Sequence, residues 1–457
     1  MGKRVFSLVM ALCLLLGLAG CTGFTVFDSR TLMSPPTATA DQQAIYKLLQ
    51  DGGTDINFAY PKSGEYRSAI IMEDFTGDGE KDAIGFYTPE NGTGSVEVQF
   101  LIKRDGEWGS ASTFKSSALQ IDRVCFTDLT GDGVLDVLIG WGSTAGSTGR
   151  TAWVSAYLFN GFEMTELLLG TYGEMAVTDF NEDGRAEVFT IDMYVPAEEE
   201  GGEFSPAKAR VYTYAGGAIQ ERYIIDADNS ISSYSSVNFV SLSKSLRGVL
   251  VDGYKADGSM TTQVFYLEDG RFVTAPADVN TEEYVNPFTR PAAAALVSRD
   301  INGDDIWDIP RVKMLPGISE DTVPDTTCYQ IEWCEFQKNG IPRMRIRSLL
   351  NASENYLFAL PFQLEGKVTA VNNPETRSVT YRLVTVDKDD PSIVEPGAVL
   401  FTVRVFARQD WDTLEWNNYE ALITLSDTVY AIQVITADPA MVRFIENIKA
   451  SFRQISE

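Results

Sequence analysis

Nine residues in the middle of the chain, Asp128 to Asp136, read DLTGDGVLD and carry a carboxylate at their first, fifth and ninth positions. Three other segments share this pattern: DFTGDGEKD at 74–82, DFNEDGRAE at 179–187 and DINGDDIWD at 300–308. Oxygen ligands crowded into one short loop suit calcium, which takes about six to eight oxygens and tolerates irregular geometry. The four segments therefore predict that the loops bind calcium as a structural ion, with three to four ions in the whole chain.

Each loop offers calcium five of its nine residues. Side chains at positions 1, 3, 5 and 9 and the backbone carbonyl at position 7 form the predicted shell, which water completes. The sixth position requires a tight turn, which glycine adopts more readily than Asp305 of the fourth loop. The predicted ligands are Asp74, Thr76, Asp78, Glu80, Asp82, Asp128, Thr130, Asp132, Val134, Asp136, Asp179, Asn181, Asp183, Arg185, Glu187, Asp300, Asn302, Asp304, Ile306 and Asp308.

The residues on either side of the loops have the character of β-strands, such as Ala69 to Met72 before the first loop and Ala83 to Tyr87 after it. An EF-hand would share the first half of the pattern, but it needs flanking helices and a glutamate at position 12. The residues found at that position are Gly85, Ile139, Thr190 and Arg311. We therefore predict that the loops join strands. An acidic hairpin turn without metal is the alternative, and Asp305 strengthens it for the fourth loop.

The first aspartates of the loops are 54, 51 and 121 residues apart. The last gap fits two units, and Ser235 to Tyr254 aligns with Ser68 to Tyr87 as a degenerate repeat. A period of ~50–60 residues with about four strands per unit is typical of a β-propeller. We predict a mainly β fold, a propeller of about five four-stranded blades over residues 55–350. The degenerate unit should not bind metal because its ligand positions hold Ser241, Ser243, Ser245 and Val249.

Residues 351–457 lack acidic loops, and we predict that they form an α+β sandwich domain with an antiparallel sheet and a terminal helix. Asp438 caps this helix, with Pro439 in the first turn. Trp411 and Trp416 are either a sugar- or protein-contact platform or loop tryptophans folded onto the core. The predicted strands of this domain are Tyr356 to Phe362, Lys367 to Val371, Ser378 to Val386, Val399 to Ala407 and Ala421 to Val434. In the preceding unit we predict strands at Ala294 to Ser298 and Ile309 to Met314.

The N-terminus has the features of a targeting segment. Lys3 and Arg4 precede an apolar run that is too short to span a bilayer, which predicts a cleaved signal over residues 1–20. The sequence Leu18-Ala19-Gly20-Cys21 resembles a bacterial lipobox, which implies lipidation of Cys21 and attachment to the membrane. Residues 21–54 then form a lipidated tether and a short helix. This predicts a location at the cell membrane, on its extracytoplasmic face.

The composition excludes several classes of function. The chain has 457 residues, 64 acidic against 37 basic, and a formal charge of −27, so nucleic acid is a poor partner. It contains no histidine, which removes Ser-His and Cys-His nucleophile pairs and His-ligated metal sites. Cys328 and Cys334 lie six residues apart in a strand-like run and cannot pair within one strand, so we predict that they and Cys125 are free thiols.

The four loops resemble the FG-GAP and VCBS repeats of integrin-like propellers, which implies calcium between the first and second strands of a blade. Together with the lipobox, they are similar to uncharacterised lipoproteins of Gram-positive bacteria, a resemblance that implies a location but no activity. No nucleophile elbow, phosphate loop or paired catalytic carboxylates are recognisable, so we predict a non-enzymatic scaffold that binds an envelope protein or glycan. The alternative is a carbohydrate-active propeller enzyme or a lectin-like glycan binder.

Overall fold

The structure is a computed structural model, and it describes the chain from residue 40 to residue 455 with several gaps. The predicted signal peptide and Cys21 lie outside the described residues. No helix of the described part is long and apolar enough to cross a membrane. The described residues are 40–50, 55–90, 92, 94–142, 152–197, 204–277, 280–281, 286–318, 328–338, 342–387, 393–413, 415–416 and 418–455.

The fold is mainly β, which confirms the predicted class, and the described residues form six small antiparallel sheets. The first sheet contains β1 (Ile56–Phe58), β2 (Ile70–Glu73), β3 (Asp82–Pro89), β4 (Glu97–Arg104) and β5 (Glu107–Lys115). Both β1 and β2 pair with β3, so that they form one interrupted strand along its edge. The second sheet contains β6 (Gln120–Thr127), β7 (Asp136–Gly142), β8 (Ala152–Phe159) and β9 (Met164–Tyr172).

The third and fourth sheets are four-stranded meanders in which each strand pairs with the next one along the chain. The third contains β10 (Glu174–Thr178), β11 (Glu187–Ile191), β12 (Lys208–Ala215) and β13 (Ala218–Asp226). The fourth contains β14 (Ile231–Ser243), β15 (Leu246–Lys255), β16 (Met260–Glu268) and β17 (Arg271–Ala275), which confirms the strands predicted for the degenerate repeat.

The fifth sheet has the strand order β18 (Asp308–Met314), β19 (Cys328–Glu335), β20 (Arg343–Asn351), β21 (Tyr356–Ala359) and β27 (Arg453–Gln454). The sixth sheet contains the remaining strands in the order β22-β23-β24-β26-β25. Their bounds are β22 (Val368–Asn373), β23 (Ser378–Val386), β24 (Val394–Ala407), β25 (Glu420–Thr424) and β26 (Thr428–Val434).

Three α-helices and three short 3-10 turns complete the described fold. Helix α1 buries Ile45 and Leu49 against the first sheet, and the Asp438 carboxylate caps α3 by accepting the N–H of Ala440. The helices are α1 (Ala40–Leu49), α2 (Arg408–Thr413) and α3 (Pro439–Ser451), and the 3-10 turns are Ala292–Ala294, Phe362–Leu364 and Pro374–Thr376.

Successive sheets pack on one another along the chain. Separate apolar clusters join the first sheet to the second, the second to the third, the third to the fourth and the fourth to the fifth. A further cluster joins the fifth sheet to the sixth through Leu349, Phe358, Tyr381 and Phe401. Among the described residues, no such cluster joins the fifth sheet back to the first.

Three predicted strands differ in the structure. Ala294 to Ser298 does not form a ladder strand: it begins at the end of a 3-10 turn, and it is the next residue, Arg299, that pairs with Asp308 of β18 through an isolated bridge. Tyr356 to Phe362 is predicted to belong to the C-terminal sheet, but the strand that it contains, β21, pairs with β20 of the fifth sheet. Ala421 to Val434 is two strands, β25 and β26, joined by a turn.

Candidate functional site

The four acidic segments lie at equivalent places in four sheets. The first three connect β2 to β3, β6 to β7 and β10 to β11, and the fourth leads into β18. In each, the ninth residue is the first residue of the strand that follows. The aligned residues of the degenerate repeat form no such loop: they are the end of β14, a tight turn at Lys244 and Ser245, and the start of β15. The prediction that these loops join strands is therefore confirmed for the first three, whereas only a bridge precedes the fourth.

The first aspartate of each loop organises the turn. In the second loop, Asp128 Oδ1 accepts the N–H of Gly131 at 2.6 Å and Oδ2 accepts that of Gly133 at 2.8 Å. Asp74 and Asp300 bind the corresponding N–H groups of positions 4 and 6, and Asp179 binds those of positions 5 and 6. Four backbone donors outweigh the effect of burial on Asp300 and lower the pKa of its carboxyl.

The backbone of the sixth position is left-handed in all four loops, as the sequence predicts. The φ angles are 88° at Gly79, 83° at Gly133, 89° at Gly184 and 63° at Asp305. Glycine adopts this conformation without steric cost, whereas a side chain at Asp305 makes it less favourable. The fourth loop therefore keeps the same turn despite its substitution.

The aspartate at position 5 is exposed and accepts the N–H of position 7. These bonds range from 2.8 Å for Asp78 to 3.1 Å for Asp304, and Asp132 and Asp183 make the same contact. One oxygen of each of these carboxylates is thus used in an Asx-type turn, which holds the position 7 backbone close to the position 5 side chain.

The carboxylate at position 9 is buried and closes the loop from the other side. Asp136 accepts the N–H groups of Leu129 and Thr130 at 2.9 and 3.2 Å, and Glu187 accepts that of Phe180 at 2.7 Å. Burial raises the pKa of Asp136 to about 6 and that of Glu187 to about 7, although these donors oppose the shift. Burial also raises the pKa of Asp82, and that of Asp308 to about 6.

The three carboxylates of each loop interact with one another. In all four loops the acids at positions 1 and 5 raise the pKa of the acid at position 9 by repulsion. In the fourth loop, Oδ2 of Asp308 is buried and has no hydrogen-bond partner among the described residues. Within that part of the chain, no three acidic or thiol side chains form a cluster that could hold a metal ion in the arrangement seen.

Neighbouring loops also contact each other, which the sequence did not predict. The position 8 N–H of the third loop, on Ala186, donates to the position 1 carbonyl of the second, on Asp128, at 2.8 Å. The equivalent bond runs at 2.9 Å from the N–H of Trp307 in the fourth loop to the carbonyl of Ser241, which is position 1 of the degenerate repeat and lies in β14. The alignment of Ser241 with Asp74 is the only signal in the sequence that could have indicated this contact.

The three cysteines within the described residues are free, as predicted. Cys328 and Cys334 are buried in the fifth sheet, and burial raises the pKa of each thiol to about 12. Trp411 and Trp416 both pack on Phe406 of β24, with ring centroids 5.2 and 4.6 Å away. This contact places both tryptophan rings against the sixth sheet. Of the two alternatives, it agrees with tryptophans folded onto the core.

No protein-family model and no curated protein sequence matches the chain. Solved structures to which the chain has a weak similarity include the rhamnogalacturonan lyase PL11 of Bacillus licheniformis, at 13% identity and a TM-score of 0.30 over 65% of each chain. A family 43 arabinoxylan arabinofuranohydrolase of Bacillus subtilis is 10% identical over 80% of this chain and 75% of its own, with a TM-score of 0.28. The xylan β-1,4-xylosidase of Bacillus halodurans is 12% identical over 72% and 70%, with a TM-score of 0.27. The chain spans 65% of the length of the lyase.

Proposed function

We propose that the first five sheets are blades of a calcium-stabilised propeller that serves as a binding scaffold at the cell envelope, held to the membrane by lipid on Cys21. The observation that carries this proposal is the repetition of one turn geometry in four acidic loops at equivalent sheet positions. A single acidic turn is common at a surface. Four such turns, each with three carboxylates, are energetically unfavourable without a counter-ion, because like charges at short range repel.

The donor chemistry of the loops fits calcium. Each supplies hard oxygen ligands from carboxylates, a Thr hydroxyl or Asn amide, and a backbone carbonyl, with no nitrogen or sulfur ligand needed. Oxygens that accept one N–H bond keep a second lone pair, and Oδ2 of Asp308 accepts no hydrogen bond from the described residues. Binding would require the carboxylates of positions 1, 5 and 9 to draw closer together than they lie now. The predicted ligand set is the one derived from the sequence.

Calcium binding is tested by thermal unfolding with and without chelator, together with metal analysis of the dialysed protein. Extracellular calcium modules bind at roughly 10⁻⁴ to 10⁻³ M, and at ten times Kd each site adds about 1.4 kcal/mol to the free energy of unfolding. We expect chelator to lower Tm markedly. Asp132→Ala should remove part of that response because it deletes a predicted ligand, and among the described residues it disturbs only the hydrogen bond from the Val134 N–H.

Ser241→Ala is the control, since it changes the residue of the degenerate repeat that aligns with position 1 of the acidic loops. It should leave both the metal content and the chelator response as in the unmodified protein. If Tm is insensitive to chelator and the dialysed protein holds no calcium, the loops are acidic turns and the metal proposal fails.

The anchoring part of the proposal is tested separately. Palmitate labelling of the unmodified chain and of Cys21→Ala should differ, with label lost from the variant. Equal labelling would contradict the lipid anchor without affecting the calcium proposal. Capture of envelope proteins and glycans by the purified domain then tests the binding role, and turnover of polysaccharide substrates would favour the enzymatic alternative.

A further inference from the structure

The fourth acidic loop differs from the other three in the partner of its position 5 carboxylate. Arg345 of β20 donates from Nη2 to Oδ2 of Asp304 at 3.0 Å. Among the described residues, no other carboxylate at position 1, 5 or 9 of the four loops forms an ion pair with a lysine or an arginine. The fourth loop therefore already has a positive charge beside it, and that charge comes from the chain itself.

A second acid holds Arg345 at the loop. The Nη1 atom of Arg345 donates to Oε2 of Glu335 at 3.1 Å, and Glu335 is buried. Strand pairing fixes the place of Glu335, because this residue lies directly opposite Asp308 between β18 and β19. The planar donors of a guanidinium can serve two carboxylates at once. Arg345 is thus positioned between β19 and the fourth loop.

The ion pair uses the carboxylate oxygen that the other loops leave open. In the first three loops, Oδ1 of the position 5 aspartate accepts the N–H of position 7, and Oδ2 accepts no hydrogen bond from the described residues. In the fourth loop, Oδ1 of Asp304 accepts the Ile306 N–H in the same way. Its Oδ2, however, accepts both Arg345 and the side-chain amide of Asn302, the latter at 3.1 Å. An oxygen with two donors has no lone pair left for a metal ion.

Arg345 also acts on the buried acid of the loop, Asp308, whose Oδ2 accepts no hydrogen bond from the described residues. Burial raises the pKa of Asp308, and the positive charge of Arg345 opposes this rise. One guanidinium thus compensates two of the three carboxylates that are predicted to bind calcium in this loop. A calcium ion would lie about 2.3–2.6 Å from these oxygens, so that Arg345 and the ion would repel each other across Asp304.

We propose that Arg345 takes the place of calcium in the fourth loop, so that the chain binds one ion in each of the first three loops and none in the fourth. This inference rests on the proposed calcium function and narrows it. The fourth loop keeps its turn at any calcium concentration, because its counter-ion is part of the chain. The first three loops have no such counter-ion among the described residues and depend on the metal.

The test is equilibrium dialysis of the metal-free full chain against increasing concentrations of calcium chloride. We expect three calcium ions per chain at saturation. Asp304→Ala should still bind three ions, because the side chain that it removes is not a ligand. Asp132→Ala removes the equivalent carboxylate of the second loop and should bind only two.

Arg345→Gln removes the guanidinium and should open a fourth calcium site, so that this variant binds four ions. Arg343→Gln is the matched control. Arg343 lies on the same strand and 3.9 Å from the same oxygen of Glu335, but it forms no ion pair with the fourth loop. The control variant should bind three ions, as the unmodified chain does.

Thermal melts establish that each variant is folded, and Asp304→Ala decides the question alone if Arg345→Gln is not. Four ions in the unmodified chain, the loss of an ion in Asp304→Ala, or three ions in folded Arg345→Gln would overturn this inference and leave the calcium proposal intact. A chain that binds no calcium would overturn both.

Discussion

At the scale of single residues, the buried acids of this protein are held in place by backbone and side-chain donors. Asp122 shows this outside the loops: its carboxylate accepts the hydroxyls of Ser63 and Tyr172 at 2.9 and 2.7 Å and Arg123 Nε at 2.9 Å. Arg123 also pairs with Glu174 at 2.7 Å. Burial alone would raise the pKa of Asp122, but Tyr172, Arg123 and Ser63 together lower it.

Asp122→Ala should therefore destabilise the fold by about 2–3 kcal/mol at neutral pH, because it leaves several donors without their acceptor. The folded-state pKa of Asp122 is lowered, so its contribution is fully present above the ordinary aspartate pKa and is lost as pH falls through the lower folded value. Urea unfolding at pH 7, 5 and 3.5 measures this. The difference in unfolding free energy between the unmodified protein and Asp122→Ala should be similar at pH 7 and 5 and smaller at pH 3.5.

Asp412→Ala serves as the comparison, since Asp412 forms an exposed helical ion pair with Arg408. Such pairs contribute about 0–1 kcal/mol. If the loss of unfolding free energy in Asp122→Ala does not change with pH, the stabilising role of the Asp122 charge is contradicted.

At the scale of elements, close approach between neighbouring sheets depends on glycines in the strands. The hydroxyl of Tyr212, on β12 of the third sheet, lies 2.5 Å from the place where a side chain on Gly170 of β9 would begin. The rest of the tyrosine ring is farther away, at 3.5 Å. The Tyr212 hydroxyl thus occupies the space that the Cβ atom of any residue other than glycine at position 170 would take.

Gly170→Ala should therefore destabilise the protein by about 1–3 kcal/mol, the usual range for overpacking. Tyr212→Phe in the same chain removes the clashing hydroxyl and should restore part of that loss. Gly109→Ala, at a strand glycine with no atom within 4 Å of a new Cβ, is the control and should be close to neutral. Denaturant titrations of the three variants measure these effects, and a failure of the double variant to recover would argue against the contact as the cause.

At the scale of the whole molecule, the fifth and sixth sheets share one core. Phe358 of β21 is fully buried, and its ring lies 5.3 Å from that of Tyr381 and 5.9 Å from that of Phe401 in the sixth sheet. The C-terminal helix α3 contributes Ile445 and Ile448 to the same cluster. The C-terminal sheet therefore packs directly on the last of the five consecutive sheets.

Phe358→Ala should cost about 3–5 kcal/mol, as is usual for deletion of a buried aromatic ring, and should lower the stability of both sheets together. Phe362→Ala should have little effect, because Phe362 is 74% exposed. Differential scanning calorimetry with proteolysis of each variant checks this. If the C-terminal region alone becomes sensitive to protease in Phe358→Ala, the two sheets are not coupled as the shared cluster indicates.

The sequence by itself determined the acidic turns, because each is closed by hydrogen bonds within nine residues: Asp128 needs only Gly131 and Gly133 to form its turn. It also determined the strands of the degenerate unit and the Asp438 cap, which depend on local periodicity and a local bond. Only the tertiary structure decided that β21 joins the fifth sheet and that Arg290 forms a buried ion pair with Asp252. Strand pairing and an ion pair between residues far apart in the chain depend on which surfaces meet after packing, and no local pattern records that.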